Sequence, residues 1–356
     1  MIVPSAAPRP GDVKGPAVQH RDIPLSVLDL ATVSDGRTSA EALAETTAFA
    51  RRADELGYLR FWVAEHHNMP TVASTSPPVL MAHLAAVTGR IRLGSGGVML
   101  PNHAPLVVAE QFALLEALHP GRIDLGVGRA PGTDGATALA LRRSPDNLDA
   151  EDFPRNLIDV MGLLGDRRAE RGLWNRFAAT PVATSTPEIV LLGSSGFSAQ
   201  LAGMLGLPFA FAHHFDMGGT LQAVEIYQRH FEPSAVLDRP YTIVSASVLC
   251  ATDHDRADWL ANPAQLRRYG MRTGRLYPLL APEEAARHPE MDAANAMPSY
   301  RIVGTPDEVV AGLDTLAAAT DASELMLHTA TYSLEDRLTS IELVAERWPA
   351  LAATGA

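Results

Sequence analysis

Tyr58-Leu59-Arg60-Phe61-Trp62-Val63-Ala64-Glu65-His66-His67 decides how this chain folds. It follows a helical run from Ser39 that stops at Gly57, and Phe61–Ala64 is the apolar run of a strand buried on both faces. That run ends in one acid and two imidazoles. In parallel α/β proteins ligands bind beyond the carboxyl ends of the strands, so Glu65, His66 and His67 stand where chemistry occurs. Neighbouring strand residues point to opposite faces. One imidazole is therefore expected to face the active site while the other packs or caps. The pair cannot readily share a metal, and no HExxH or CxxC spacing adds ligands, so no metal site is expected.

Outward from this segment, strands and helices alternate. Leu25–Leu30 reads as the first strand and Ser39–Leu56 as its helix, with apolar Ala42, Leu43, Phe49, Ala53 and Leu56 at helical spacing. Helix Pro77–Val87, strand Ile91–Leu100, helix Pro105–Leu118 and strand Arg122–Arg129 follow. After helix Asp152–Leu164 come strand Glu188–Leu192, helix Gly196–Leu205, strand Pro208–Ala212 and helix Thr220–Phe231. The seventh strand is Tyr241–Ala251 and the eighth is Ser323–Thr329; helices at 305–318 and Ser333–Trp348 complete the pattern. Eight such units predict a (β/α)8 TIM barrel, one domain over residues 23–350. Residues 1–22, rich in Pro and Gly, read as a flexible extension. The long insertion after strand seven is expected to form helical pieces over the barrel mouth, a lid in preference to a passive surface excursion.

Composition narrows the function. Of 356 residues, 47% are hydrophobic; 29 basic against 41 acidic residues give a net charge of −12. That balance disfavours nucleic acid or an anionic membrane as partner. Cys250 is the only cysteine, which excludes an intrachain disulfide and reads as a buried small hydrophobe. No stretch is long and apolar enough to span a bilayer and no signal peptide is evident, so the expectation is a cytoplasmic protein.

Two loops suit an anion. Gly193-Ser194-Ser195-Gly196-Phe197-Ser198 joins the fifth strand to its helix, and free N–H groups flanked by serines suit a phosphate. A helix merely capped by Ser194 or Ser195 fits equally. Arg129 closes the fourth strand, and its fork suits a terminal phosphate or a carboxylate partner. Gly96-Gly97 inside the third strand marks a bulge or a flat ligand pressed against the backbone. His103, His213 and His214 are further candidates, each with a turn or packing role as the alternative. Met99, Phe211 and Met217 read as core or pocket wall, with core favoured.

LSVLDL, FWVAEHHNMP, IRLGSGGVMLPNHAPLVVAEQ, LEALHPGRIDLGVGRAPGTD, LLGSSGFSAQLA and GLPFAFAHHF, in this order from Leu25 onward, resemble the bacterial luciferase-like monooxygenases. The likeness is to the single-chain branch that includes polyketide-tailoring oxygenases. It implies reduced FMN (FMNH2), delivered by a separate NAD(P)H-flavin reductase, and O2 reacting through a C4a-(hydro)peroxyflavin to epoxidise or hydroxylate a small organic substrate such as an aromatic polyketide. The resemblance makes His66 the base near the flavin and gives Glu65 the support of neighbouring backbone. Gly96–Gly97 falls at a non-proline cis peptide beneath the ring. Arg129, Ser194, Ser195 and Ser198, with Gly196 and Phe197 between them, would hold the FMN phosphate. A homodimer through helices near strands two and three is also implied. Gly128 replaces the reactive cysteine of the light-emitting α chain, which argues against light emission. Two rivals remain: an F420-dependent hydride-transfer enzyme, and a non-catalytic flavin-binding protein.

Overall fold

The computed structural model describes residues 22–130, 132–142, 152–215 and 217–352; the expected N-terminal extension lies, up to residue 21, outside them. Eight strands carry the architecture: β1 Leu25–Asp29, β2 Arg60–Val63, β3 Arg92–Ser95, β4 Ile123–Gly128, β5 Glu188–Gly193, β6 Phe209–Phe211, β7 Thr242–Cys250 and β8 Glu324–His328. Each pairs in parallel with the next, and β8 pairs with both β7 and β1. The sheet therefore closes on itself as a TIM barrel ringed by helices.

Alternation along each strand builds two apolar layers. Phe61 and Val63 face outward, into the core shared with Val27, Leu93, Leu125, Leu191 and the surrounding helices. Trp62 faces inward, into a smaller cluster with Leu28, Val190, Ala210, Ile243 and Met326. Glycine makes room for the indole: a Cβ on Gly94 would fall 2.2 Å from Trp62 Nε1. Below this layer, at the strand starts, sits a buried polar plug. Arg60 pairs with Asp124, Glu188 and Glu324, and Trp62 Nε1 donates to Asp124 Oδ2 at 2.9 Å. The barrel is thus closed at its amino end, and only the carboxyl end is open for a ligand.

Two expectations need correction. The strand expected over Ile91–Leu100 is two strands, β3 and a short Val98–Met99 that pairs with Val127 and Gly128 of β4. The interruption is the Gly96–Gly97 peptide, which is cis, as the resemblance implied. The excursion after β7 does form helical pieces, and it opens with a 19-residue helix, His254–Arg272, capped by the Asp253 side chain on the Arg256 N–H. Short helices Pro282–Ala286 and Met291–Asn295 follow, then a strand Ile302–Gly304 paired with Val248–Cys250. Asp35 N–H donates to Leu279 O at 2.9 Å, which fastens the excursion to the loop after β1. Met217, expected in the core, is 70% exposed.

Candidate active site

The carboxyl ends of the strands surround a cleft of about 200 Å³, apolar apart from a few polar groups. Leu28, Trp62, Ile243 and Met326 form its floor, while His66, Gly96, Met99, Arg129, Ser194 and His214 stand along its sides. Residues from β1 through β8 converge there, although they are scattered over 300 positions of sequence.

His66 and His67, in the segment just beyond β2, turn to different sides. His66 lines the cleft, and its Nδ1–H donates to Gly132 O at 3.2 Å. A neutral imidazole carrying its proton on Nδ1 leaves the Nε2 lone pair as an acceptor. Burial lowers the His66 pKa, so the ring is neutral at neutral pH. Gly132 has φ +67°, and a Cβ there would lie 2.7 Å from Glu65 O, so only glycine brings this carbonyl to His66. His67 turns back instead, donating from Nε2 to Glu65 Oε1 at 2.9 Å.

Glu65 is buried and does not line the cleft. Its Oε2 accepts the Met99 N–H at 2.9 Å; its Oε1 also accepts from His103 Nε2 at 2.9 Å and Asn102 Nδ2 at 3.2 Å. Burial alone would raise its pKa, but the bonds from His103, His67 and Met99 outweigh it and the net shift is downward. The acid therefore braces the backbone that leaves the Gly96–Gly97 peptide. His103 belongs to this brace rather than to the cleft.

Adjacent strands β4 and β5 bring the anion-binding candidates together. Arg129 lines the cleft, with its guanidinium 4.3 Å from the Phe197 ring centre. Among the described residues it has no ion pair or hydrogen bond. Ser194 lines the cleft, and Ser195 is exposed at the N-cap of helix Gly196–Met204. The Ser195 side chain makes no capping bond, so capping does not consume the free N–H groups of that first turn. Ser198 is buried against Gly193.

Of the pair at the end of β6, His214 is the one that faces the cleft. Its Nδ1 lies 2.6 Å from Ser245 Oγ, whose hydroxyl donates to Phe211 O at 3.0 Å. The serine proton is thus committed, His214 must donate from Nδ1, and its Nε2 is a second free acceptor. Burial, then His328, His213 and His66, holds the His214 pKa well below the usual value. His213 turns away toward Thr220 Oγ1, at 2.8 Å. Cys250 is buried, with its thiol pushed up to about 12 by burial, and is inert at neutral pH. Among the described residues no helix is long and apolar enough to cross a membrane.

A family profile described as luciferase-like monooxygenase matches residues 23–323. The uncharacterized protein YvbT of Bacillus subtilis (strain 168) is 45% identical over 334 residues, 93% of this chain and 98% of that protein. A protein of Escherichia coli (strain K12) named luciferase-like monooxygenase is 40% identical over 330 residues, 92% of this chain and 97% of its own length. The crystal structure of apo-MsnO8 superposes with a TM-score of 0.83 at 36% identity, covering 93% of this chain and 98% of that one.

Proposed function

The chain belongs to the luciferase-like monooxygenase family, and on that premise we propose that it is a two-component monooxygenase using FMNH2 and O2 to oxygenate a small organic substrate. The observation that carries the reading is one apolar cleft that holds a neutral imidazole with a free Nε2 and an arginine with no acid partner. A flat, largely apolar ligand ending in an anion fits that donor set, and FMN is such a ligand. Arg129, Ser194 and the first-turn N–H groups from Gly196 onward would hold its phosphate, with Phe197 fixing the guanidinium and Ser195 and Ser198 flanking the turn. Gly96 and Gly97 would give the ring a flat backbone to lie against.

Bound FMNH2 supplies the two electrons with which one atom of O2 enters the substrate while the other leaves as water. The chain's own part is to bind, orient, exclude water and handle protons. His66 Nε2 accepts or returns a proton at the cleft wall, because its Nδ1–H is tied to Gly132 O. Leu28, Leu30, Trp62 and Met326 keep the floor dry. A separate NAD(P)H-flavin reductase delivers the reduced flavin.

The test is turnover under 18O2 with FMN, NADH and a flavin reductase, over a panel of aromatic and aliphatic substrates. One 18O atom per product molecule is expected. Hydride transfer from reduced F420 with no labelled product from FMNH2 would contradict the proposal.

A further inference from the structure

Arg267 is a second cation, set against the loops after β1 and β2 beside the cleft lining, that no carboxylate among the described residues neutralises. It projects from helix His254–Arg272 to the loops after β1 and β2, donating from Nη1 to Thr32 Oγ1 and from Nη2 to Thr71 Oγ1, each at 3.4 Å. Both bonds are long, and both partners are neutral. Among the described residues no carboxylate pairs with it. The side chain is partly buried, and burial lowers its pKa with no acid to offset the effect.

This is an unusual economy for a chain with 41 acidic residues. Among the buried arginines, Arg60 meets Asp124, Glu188 and Glu324 and Arg337 meets Asp29, while Arg268 donates to the Pro298 and Met297 carbonyls. A guanidinium withdrawn from water without an opposite charge is costly, and such groups are normally paired. An acid supplied by a ligand resolves the imbalance.

Position says which ligand. Arg267 bonds Thr32, in the loop after β1, and Thr71, in the loop after β2 that also carries His66. It therefore stands on the β1-β2 side of the barrel end. Arg129 and the serine turn stand at β4 and β5, and in the closed order β1 is four strands from β5. One guanidinium with two hydroxyls balances a single negative charge, which suits a carboxylate better than a phosphate carrying about −1.5 to −2. The arginine fork also accepts a carboxylate in two parallel bonds.

We propose that Arg267, with Thr32 and Thr71, is the binding site for a carboxylate on the organic substrate, so that the enzyme oxygenates an organic acid. The inference rests on the flavin reading for the reaction, but the binding site stands on its own geometry.

The test is isothermal titration of the full chain, with and without FMN, using benzoate, hexanoate and glutarate, each against its neutral amide. Wild type is expected to prefer at least one carboxylate over its amide by about tenfold or more, as a charged hydrogen bond implies. Arg267→Met should abolish that preference, Arg267→Lys should retain part of it, and both should bind FMN as wild type does. Thr71→Val, a milder change, should weaken the carboxylate several-fold and keeps the test decisive if Arg267→Met does not fold. A wild type without carboxylate preference, a preference that survives in Arg267→Met or is untouched in Thr71→Val, or a loss of FMN affinity in Arg267→Met with the preference intact would each overturn the assignment. Failure of wild type to bind FMN, alongside an Arg267-dependent carboxylate preference, would instead remove the flavin reading and leave this site standing.

Discussion

The carboxylate of Glu65, at the end of β2, accepts the backbone N–H of Met99, two residues beyond the cis Gly96–Gly97 peptide, at 2.9 Å. The same side chain collects His67, His103 and Asn102. One buried acid thus fixes the wall of the cleft from behind, while His66 next to it faces the cavity.

Glu65→Gln should destabilise the protein by about 1–3 kcal/mol, because an amide cannot accept all four donors. The pH dependence has a definite sign. The folded pKa of Glu65 lies below its ordinary value, so its contribution is complete above the unfolded pKa. It is lost as pH falls through the folded pKa, because the unfolded chain takes up that proton first. Urea unfolding between pH 3 and pH 7 (about the range of carboxylate titration) should show a shallower acid loss in Glu65→Gln than in wild type. Equal slopes would mean that this carboxylate is not the clamp.

His66→Ala should keep the fold and most FMN affinity but lose about 10²–10⁴ in product formation, the usual contribution of an acid–base group. Burial lowers the His66 pKa, so wild-type activity should fall only when pH drops below the ordinary histidine range. His67→Ala should instead lower the melting temperature, since it unties Glu65. Rates and thermal melts of the two variants separate the roles; an activity loss confined to His67→Ala would reverse them.

Replacing Arg129 with Ala should weaken FMN by about 1.5–3 kcal/mol and leave riboflavin affinity nearly unchanged, because only FMN carries the phosphate. Fluorescence titration with both ligands checks this. Undiminished discrimination would place the phosphate away from β4.

A homodimer is expected through helices Pro77–Val87 and Pro105–Leu118. Their outer faces leave Val79 70%, Leu114 49% and Leu118 60% exposed, and Leu114 and Leu118 lie one turn apart. Apolar residues so placed mark an interaction surface. Sedimentation at micromolar concentration should give a dimer in wild type and monomer in Leu114→Glu/Leu118→Glu. A monomeric wild type would refute the arrangement.

Much of this was legible in the sequence because it is local. The apolar runs of β1 to β8 follow from burial on both faces, and the acid and imidazoles after Val63 sit at a strand end whatever the register. Gly96-Gly97 was visible as an irregularity, although the split of the third strand depends on the cis peptide and on pairing with Val127 and Gly128. What stayed hidden needs the closed barrel. Arg60, Asp124, Glu188 and Glu324 begin four different strands, and nothing in any one segment shows that they meet. The His214–Ser245 bond likewise joins β7 to the turn after β6. Helix His254–Arg272 contains Pro263 and many polar residues, so its pattern showed helical character but not one continuous 19-residue helix. Arg267 gains meaning only in the fold, where no carboxylate among the described residues pairs with it.

The most direct measurement is an anaerobic equilibrium titration of the full chain with FMNH2, reduced riboflavin and reduced F420. The account predicts saturation by one FMNH2 per chain, weaker binding of reduced riboflavin by about tenfold or more for want of the phosphate, and no competition from reduced F420 at equal concentration. Tight binding of reduced F420 with FMNH2 excluded, or no binding of either, would contradict it.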